Sequence, residues 1–202
     1  MIRTLELAEA LEALAEGGVV AVPTDTVYGL AASLSHPPAV AQLFALKCRP
    51  TTTALPVFVD SLGQIDEMGV AWSPRARTLS DAFWPGALTI VVPGPSALTT
   101  MLGSASGTVG FRCPDDDVVL SLLARSGPLA VTSANEHGRA PCESAADVRH
   151  VFAARDDLRG VLDGGRRSAT VSTVIDVSAS TWRLVRAGAI ATSAIVEVLD
   201  TH

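Results

Sequence analysis

Only one of the 15 basic Lys and Arg side chains in this sequence is a lysine, Lys47. Arginine carries the ordinary surface charge, so a lone compact and rotatable ammonium marks a place that needs one. Arg49 follows two residues later, then the hydroxyls of Thr51, Thr52 and Thr53. Such a group can surround a phosphate, with arginine as a planar fork and lysine as a movable point charge. The plainer reading is a solvated helix end, where cations also suit the macrodipole.

Four more polar groups stand beside apolar runs. Thr24, Asp25, Thr26 and Tyr28 follow Val19-Val20-Ala21-Val22, and strand ends of α/β sheets are where ligands bind. Arg112 sits inside the apolar run Thr108 to Cys113. It must face a cleft or be paired, either with a substrate or with a nearby carboxylate such as Asp115. Ser133 and Asn135 follow Leu129 to Thr132 and offer a hydroxyl and an amide, or simply start a turn. Ser172 opens one late apolar run and Arg186 closes another, as a clamp for phosphate or carboxylate or as a rim charge. No GxGxxG, Walker A loop, HExxH or GxSxG motif is present, which argues against dehydrogenases, P-loop enzymes, zinc proteases and serine hydrolases.

Alternating elements must position these groups. Helical periodicity marks 4–16, 38–46, 75–83, 116–125, 144–154 and 193–199. Apolar runs bounded by Gly and Pro mark strands at 19–22, 55–59, 88–92, 108–113, 129–132, 171–177 and 183–186, and Val161-Leu162 leads into the turn Asp163-Gly164-Gly165. The late strands lie close together, so the expected fold is α/β with a mixed parallel and antiparallel sheet and helices packed on it. No linker or repeat divides the 202 residues, and one domain over 1–202, with its core at about 3–199, is expected.

With 48% apolar and 18% charged residues, the chain can bury a core. A net charge of −6 argues against nucleic-acid binding over the whole surface, but leaves room for a local basic groove. Cys48, Cys113 and Cys142 form no CxxC pair, so neither a disulfide framework nor a metal site is expected. The first residues lack the apolar run of a signal peptide and no stretch reaches membrane-spanning length, so a cytoplasmic protein without a membrane contact is expected.

Taken in order, Pro23-Thr24-Asp25-Thr26-Val27-Tyr28-Gly29-Leu30, Lys47-x-Arg49-Pro50, Trp84-Pro85-Gly86-x-Leu88-Thr89, Val109-x-x-Arg112-x-Pro114, Ser133-Ala134-Asn135, Asp163-Gly164-Gly165, Ser172-Thr173-Val174-x-Asp176 and Arg186-x-Gly188 resemble the YrdC-like domain family of threonylcarbamoyl-AMP synthases. The resemblance implies a twisted sheet with an open, concave, basic cleft. It implies condensation of L-threonine, bicarbonate and ATP, with Mg2+, to threonylcarbamoyl-AMP and pyrophosphate. The product would pass to a tRNA threonylcarbamoyl transferase. By the same resemblance Lys47 and Arg49 are the catalytic cations. Lys47, Thr51, Thr108, Ser133, Asn135 and Arg186 line the ATP side, while Thr24, Arg112, Val131 and Ser172 line the threonine side. No further C-terminal domain is expected. Phe58 stands where the family usually has histidine, and Ala187 where it has proline. Two other readings stay open: a non-catalytic module that binds tRNA or double-stranded RNA, and a paralogue that makes another carbamoyl-adenylate.

Overall fold

The computed structural model describes residues 2–47, 54–136, 138–168 and 170–200. Among the described residues, ten strands form one sheet: β1 (Thr4–Leu5), β2 (Val19–Val22), β3 (Gly29–Ser33), β4 (Val57–Phe58), β5 (Leu88–Pro93), β6 (Thr108–Arg112), β7 (Leu129–Ser133), β8 (Leu158–Leu162), β9 (Thr173–Asp176) and β10 (Arg183–Arg186). The spatial order is β1-β8-β2-β3-β7-β4-β6-β5-β9-β10. β1–β8, β8–β2, β4–β6 and β5–β9 pair in parallel, and the remaining neighbours are antiparallel. The sheet is therefore mixed, as the crowded late strands predict.

The helices are α1 (Leu7–Ala15), α2 (Pro37–Leu46), α3 (Leu62–Glu67), α4 (Pro74–Phe83), α5 (Ser96–Met101), α6 (Asp117–Ser126), α7 (Ala145–Val151) and α8 (Thr192–Asp200). Local chemistry sets several ends. Ser73 accepts from Ala76 N–H with Pro74 at the first helical position of α4, and Asp116 accepts from Val119 N–H at the start of α6. Ser144 caps α7 by accepting from Asp147 N–H.

The two faces of the sheet are covered unequally, and this creates the site. Val19 and Ala21 pack with α2, α4, α7 and α8 in one core, through Leu43, Leu79, Val148 and Ile195. Val20 and Val22 point the other way, into a second core with Ala10 and Leu14 of α1 and Leu122 and Leu123 of α6. Burial on both faces explains why β2 reads as an unbroken apolar run. The second core extends along β3, β4 and β7 through Ala31, Phe58 and Val131. On β5, β6 and β9, Ile90, Phe111 and Ile175 join the first core, whereas their neighbours Thr89, Arg112 and Val174 line a cavity.

Sequence and structure part at a few elements. The expected helix over 4–16 gives up Thr4–Leu5 to β1, which is an edge strand beside β8. β3 was absent from the expected strands, because Gly29–Ser33 is built of small residues with weak strand preference. It is nonetheless buried throughout and joins β2 to β7. α3 and α5, six residues each, carry too short a period to stand out.

Candidate active site

A cavity of about 650 Å3 lies on the half of the sheet that α1 and α6 leave uncovered. Thr24, Thr108, Arg112, Val131, Ser133, Ser172 and Arg186 all line it. Seven of the expected site residues, drawn from chain segments far apart, thus share one hollow. Arg183 adds a third guanidinium to the lining and Asp176 a carboxylate.

Lys47 ends α2 and is 3% exposed. Its ammonium donates to Ser133 O at 2.7 Å, Ser133 Oγ at 3.1 Å and Asn135 Oδ1 at 2.7 Å. A charge this deep needs such partners, since desolvation without them costs several kcal/mol, roughly. The contact joins the end of α2 to the end of β7 and places the ammonium directly behind Ser133, which faces the cavity. Lys47 and Asn135 themselves lie beneath the lining.

Arg112, at the end of β6, is held from three sides. Its Nε donates to Gly86 O at 3.0 Å, one terminal nitrogen to Thr26 Oγ1 at 3.1 Å, and the other to Asp25 Oδ1 at 2.6 Å. Its carbon centre also lies 5.4 Å from the centroid of the Phe58 ring. Burial lowers the Arg112 pKa and Asp25 pulls it back up, so a buried cation is kept by a near neighbour. The partner is Asp25 on the loop after β2, not the nearby Asp115 that the sequence suggested.

The Arg112 contact feeds a directed chain of hydroxyls. Thr24 Oγ1 donates to Val27 O at 2.7 Å, so in its 2.9 Å contact with Thr26 Oγ1 the latter is the donor. Thr26 Oγ1 in turn accepts from Arg112. Behind this loop, Tyr28 Oη donates to Gly165 O at 2.9 Å and accepts from Gly164 N at 3.0 Å. Burial raises the Tyr28 pKa, which keeps the phenol proton available for that bond. A Cβ on Gly164 would come within 2.7 Å of Pro23, so only glycine fits this close approach.

On the opposite wall, Arg186 clasps Ser172: Nε donates to Ser172 O at 3.0 Å and a terminal nitrogen to Ser172 Oγ at 2.8 Å. Thr89 Oγ1 lies 3.1 Å from the same Ser172 hydroxyl. Thr108 Oγ1 pairs with Ser106 Oγ at 2.7 Å on the rim. Val131 lines the floor, with its N–H donated to Pro56 O at 3.0 Å. Among the described residues, no group of three or more His, Cys, Asp or Glu side chains is placed to hold a metal ion. None of their helices is long and apolar enough to cross a membrane.

Arg49 and Thr51 lie outside the described residues. Asp25, Thr26 and Tyr28 were expected only as part of a polar strand end, and Thr89 only as part of a motif, with no partner assigned to any of them. Their polar partners explain their presence, and Asp25 could have been found only by asking which carboxylate neutralises Arg112.

Comparison with known proteins agrees with this geometry. The family model Sua5_yciO_yrdC, described as telomere recombination, matches residues 12–188. A Mycobacterium leprae relative is 39% identical over 199 residues, 98% of this chain and 89% of its own length. The threonylcarbamoyl-AMP synthase of Bacillus subtilis is 36% identical over 197 residues, covering 96% of this chain and 56% of its own. Among solved structures, P. abyssi Sua5 complexed with L-threonine superposes with a TM-score of 0.90 at 31% identity. That match covers 98% of this chain and 60% of the solved one, so the chain spans well under two thirds of the Sua5 length.

Proposed function

The chain belongs to the Sua5/YciO/YrdC family, and from that premise we propose that it is an L-threonylcarbamoyladenylate synthase. The observation that carries this reading is the single cavity that gathers Arg112, Ser133, Ser172 and Arg186, with the Lys47 ammonium directly behind Ser133. Relatives of this chain are named threonylcarbamoyl-AMP synthase, and a structural neighbour is complexed with L-threonine.

The chemistry asks for no protein nucleophile. The threonine amine attacks the carbon of bicarbonate, releasing water and leaving a carbamate. A carbamate oxygen then attacks the α-phosphorus of ATP, and the bond to the β-phosphate oxygen breaks to release pyrophosphate. Both partners are anionic, so the protein's part is to hold them in line and offset charge. Lys47 and Ser133 serve the phosphate side, with Arg49, Thr51, Thr108 and Arg186. Arg112, Thr24, Val131 and Ser172 serve the threonine side, where the Arg112 fork suits a carboxylate. Magnesium would enter with ATP and offset part of the phosphate charge, as a hard cation suited to oxygen donors. The product would pass to a cytoplasmic tRNA threonylcarbamoyl transferase.

Mass spectrometry of the product formed from ATP, bicarbonate and labelled threonine tests the reading. A labelled threonylcarbamoyl-AMP with stoichiometric pyrophosphate is expected; ATP left unchanged, beside salt-dependent RNA binding, would instead favour an RNA-binding module. Phe58, which places an aromatic wall beside Arg112, favours a second reading in which another amine is carbamoylated. Serine and carbamoyl phosphate, offered in place of threonine and bicarbonate, separate the two.

A further inference from the structure

Asn135 is 7% exposed, and its side chain is fully occupied by the protein itself. Its Nδ2 donates to Glu136 O at 2.8 Å and to Arg139 O at 2.7 Å. Its Oδ1 accepts from Lys47 Nζ at 2.7 Å and from Ser133 Oγ at 2.7 Å. An amide offers two donor protons and two acceptor lone pairs, and all four are spent. Two carbonyls fix which end of the amide faces which way: nitrogen must meet them, so oxygen must meet the ammonium.

Of the groups around Lys47, the Ser133 hydroxyl belongs to the cavity lining, and it makes the longest of the three contacts. A phosphate oxygen can replace it, while Asn135 Oδ1 and Ser133 O keep their hold on the ammonium from behind. We infer that Asn135 does not touch the nucleotide but is a positioning residue that aims the Lys47 ammonium at the phosphates. This inference rests on the reading of the cavity as an ATP site. The chemistry also specifies the residue type. Aspartate would turn an oxygen toward Glu136 O and Arg139 O and place a carboxylate against Lys47, offsetting the charge meant for phosphate. Alanine would leave the Glu136 and Arg139 carbonyls and the ammonium each short of a partner.

A double-mutant cycle tests it, because coupled residues fail to add whereas independent ones do. Wild type, Asn135→Ala, Lys47→Met and the double variant are compared by kcat/KM for ATP in pyrophosphate release. The same cycle read as the ATP Kd by calorimetry covers variants too slow to assay. Asn135→Ala is expected to lose about tenfold beside Lys47, and less than about twofold in the Lys47→Met background. Equal losses in both backgrounds would overturn the inference, since Asn135 would then meet the nucleotide itself or act only on the fold. No loss beside Lys47 would overturn it as well. Should Asn135→Ala not fold, Asn135→Ser, which also lacks the amide but brings no charge, takes its place, with the same two expectations. A wild type that binds ATP without releasing pyrophosphate speaks against the synthase reading, and the binding cycle still decides the role of Asn135.

Discussion

Asp25 and Arg112, 87 residues apart in the chain, meet at 2.6 Å with side chains only 14% and 4% exposed. One comes from the loop after β2 and the other from the end of β6, so their pairing locks two walls of the cavity together. Taking both charges out of water is costly, and the pair holds only while both members are present.

Asp25→Asn keeps the shape but removes the compensating charge. A buried guanidinium left without its counter-ion costs about 3–5 kcal/mol. Urea denaturation should show a loss of that order. The double variant Asp25→Asn with Arg112→Met should recover part of it, because no buried charge is then left without its counter-ion. Activity should not return with stability, since the fork that would hold a carboxylate is gone. An Asp25→Asn protein as stable as wild type would show that water screens the pair.

Lys47→Met retains the volume of the side chain and removes its charge. A charge contact of this kind is worth about 100-fold or more in rate. Pyrophosphate release should fall by that factor, while the thermal midpoint moves by only a few degrees. Arg49→Ala should lose activity in the same assay, as its spacing from Lys47 predicts. Full activity in both variants would remove the phosphate role from this pair.

Gly188 lies against Ser172, where a Cβ would come within 2.4 Å of the Ser172 carbonyl carbon and of Val171 O. Backbone cannot yield as a side-chain tip does, so Gly188→Ala must push the Arg186 turn away from Ser172. Arg186 then loses the hold that aims it into the cavity. The KM for ATP should rise several-fold, and Arg186→Ala should produce little further loss in the Gly188→Ala background. Additive losses would show that the turn does not position Arg186.

How much of this was legible in the sequence follows from the range of each interaction. β2 and β7 announce themselves because two-sided burial writes a continuous apolar run. β3 does not, since Gly29, Ala31 and Ala32 gain strand structure from neighbours rather than from their own preference. Lys47 and Arg112 were identifiable as residue types out of place in their surroundings, whereas Ser133 and Arg186 stood out only within the run of family motifs. Their partners were not identifiable, because contacts such as Lys47 to Asn135, 88 residues apart, and Tyr28 to Gly164, 136 apart, join distant parts of the chain. Proximity in sequence pointed Arg112 at Asp115, and the folded sheet paired it with Asp25.

Cys113 and Cys142 give the last prediction, and it concerns pH. Burial is the main cause that pushes both thiols up to about 11 from 9.0. Nearby carboxylates add to the rise, Asp60 first at Cys113 and Asp147 at Cys142. At pH 8 the thiolate, which is the reactive form, is then about 100-fold scarcer than in the unfolded chain. Peptide mapping after brief iodoacetamide treatment should find both cysteines unlabelled in the folded protein and labelled in urea. The linkage has a definite sign. With the folded pKa above the unfolded one, the native state holds the thiol protons longer, so the associated stability is present below about pH 9 and is lost as pH rises toward 11. The urea midpoint should fall across that window, and Cys113→Ser with Cys142→Ser should flatten the fall. A midpoint independent of pH between 9 and 11 would mean that water reaches both thiols.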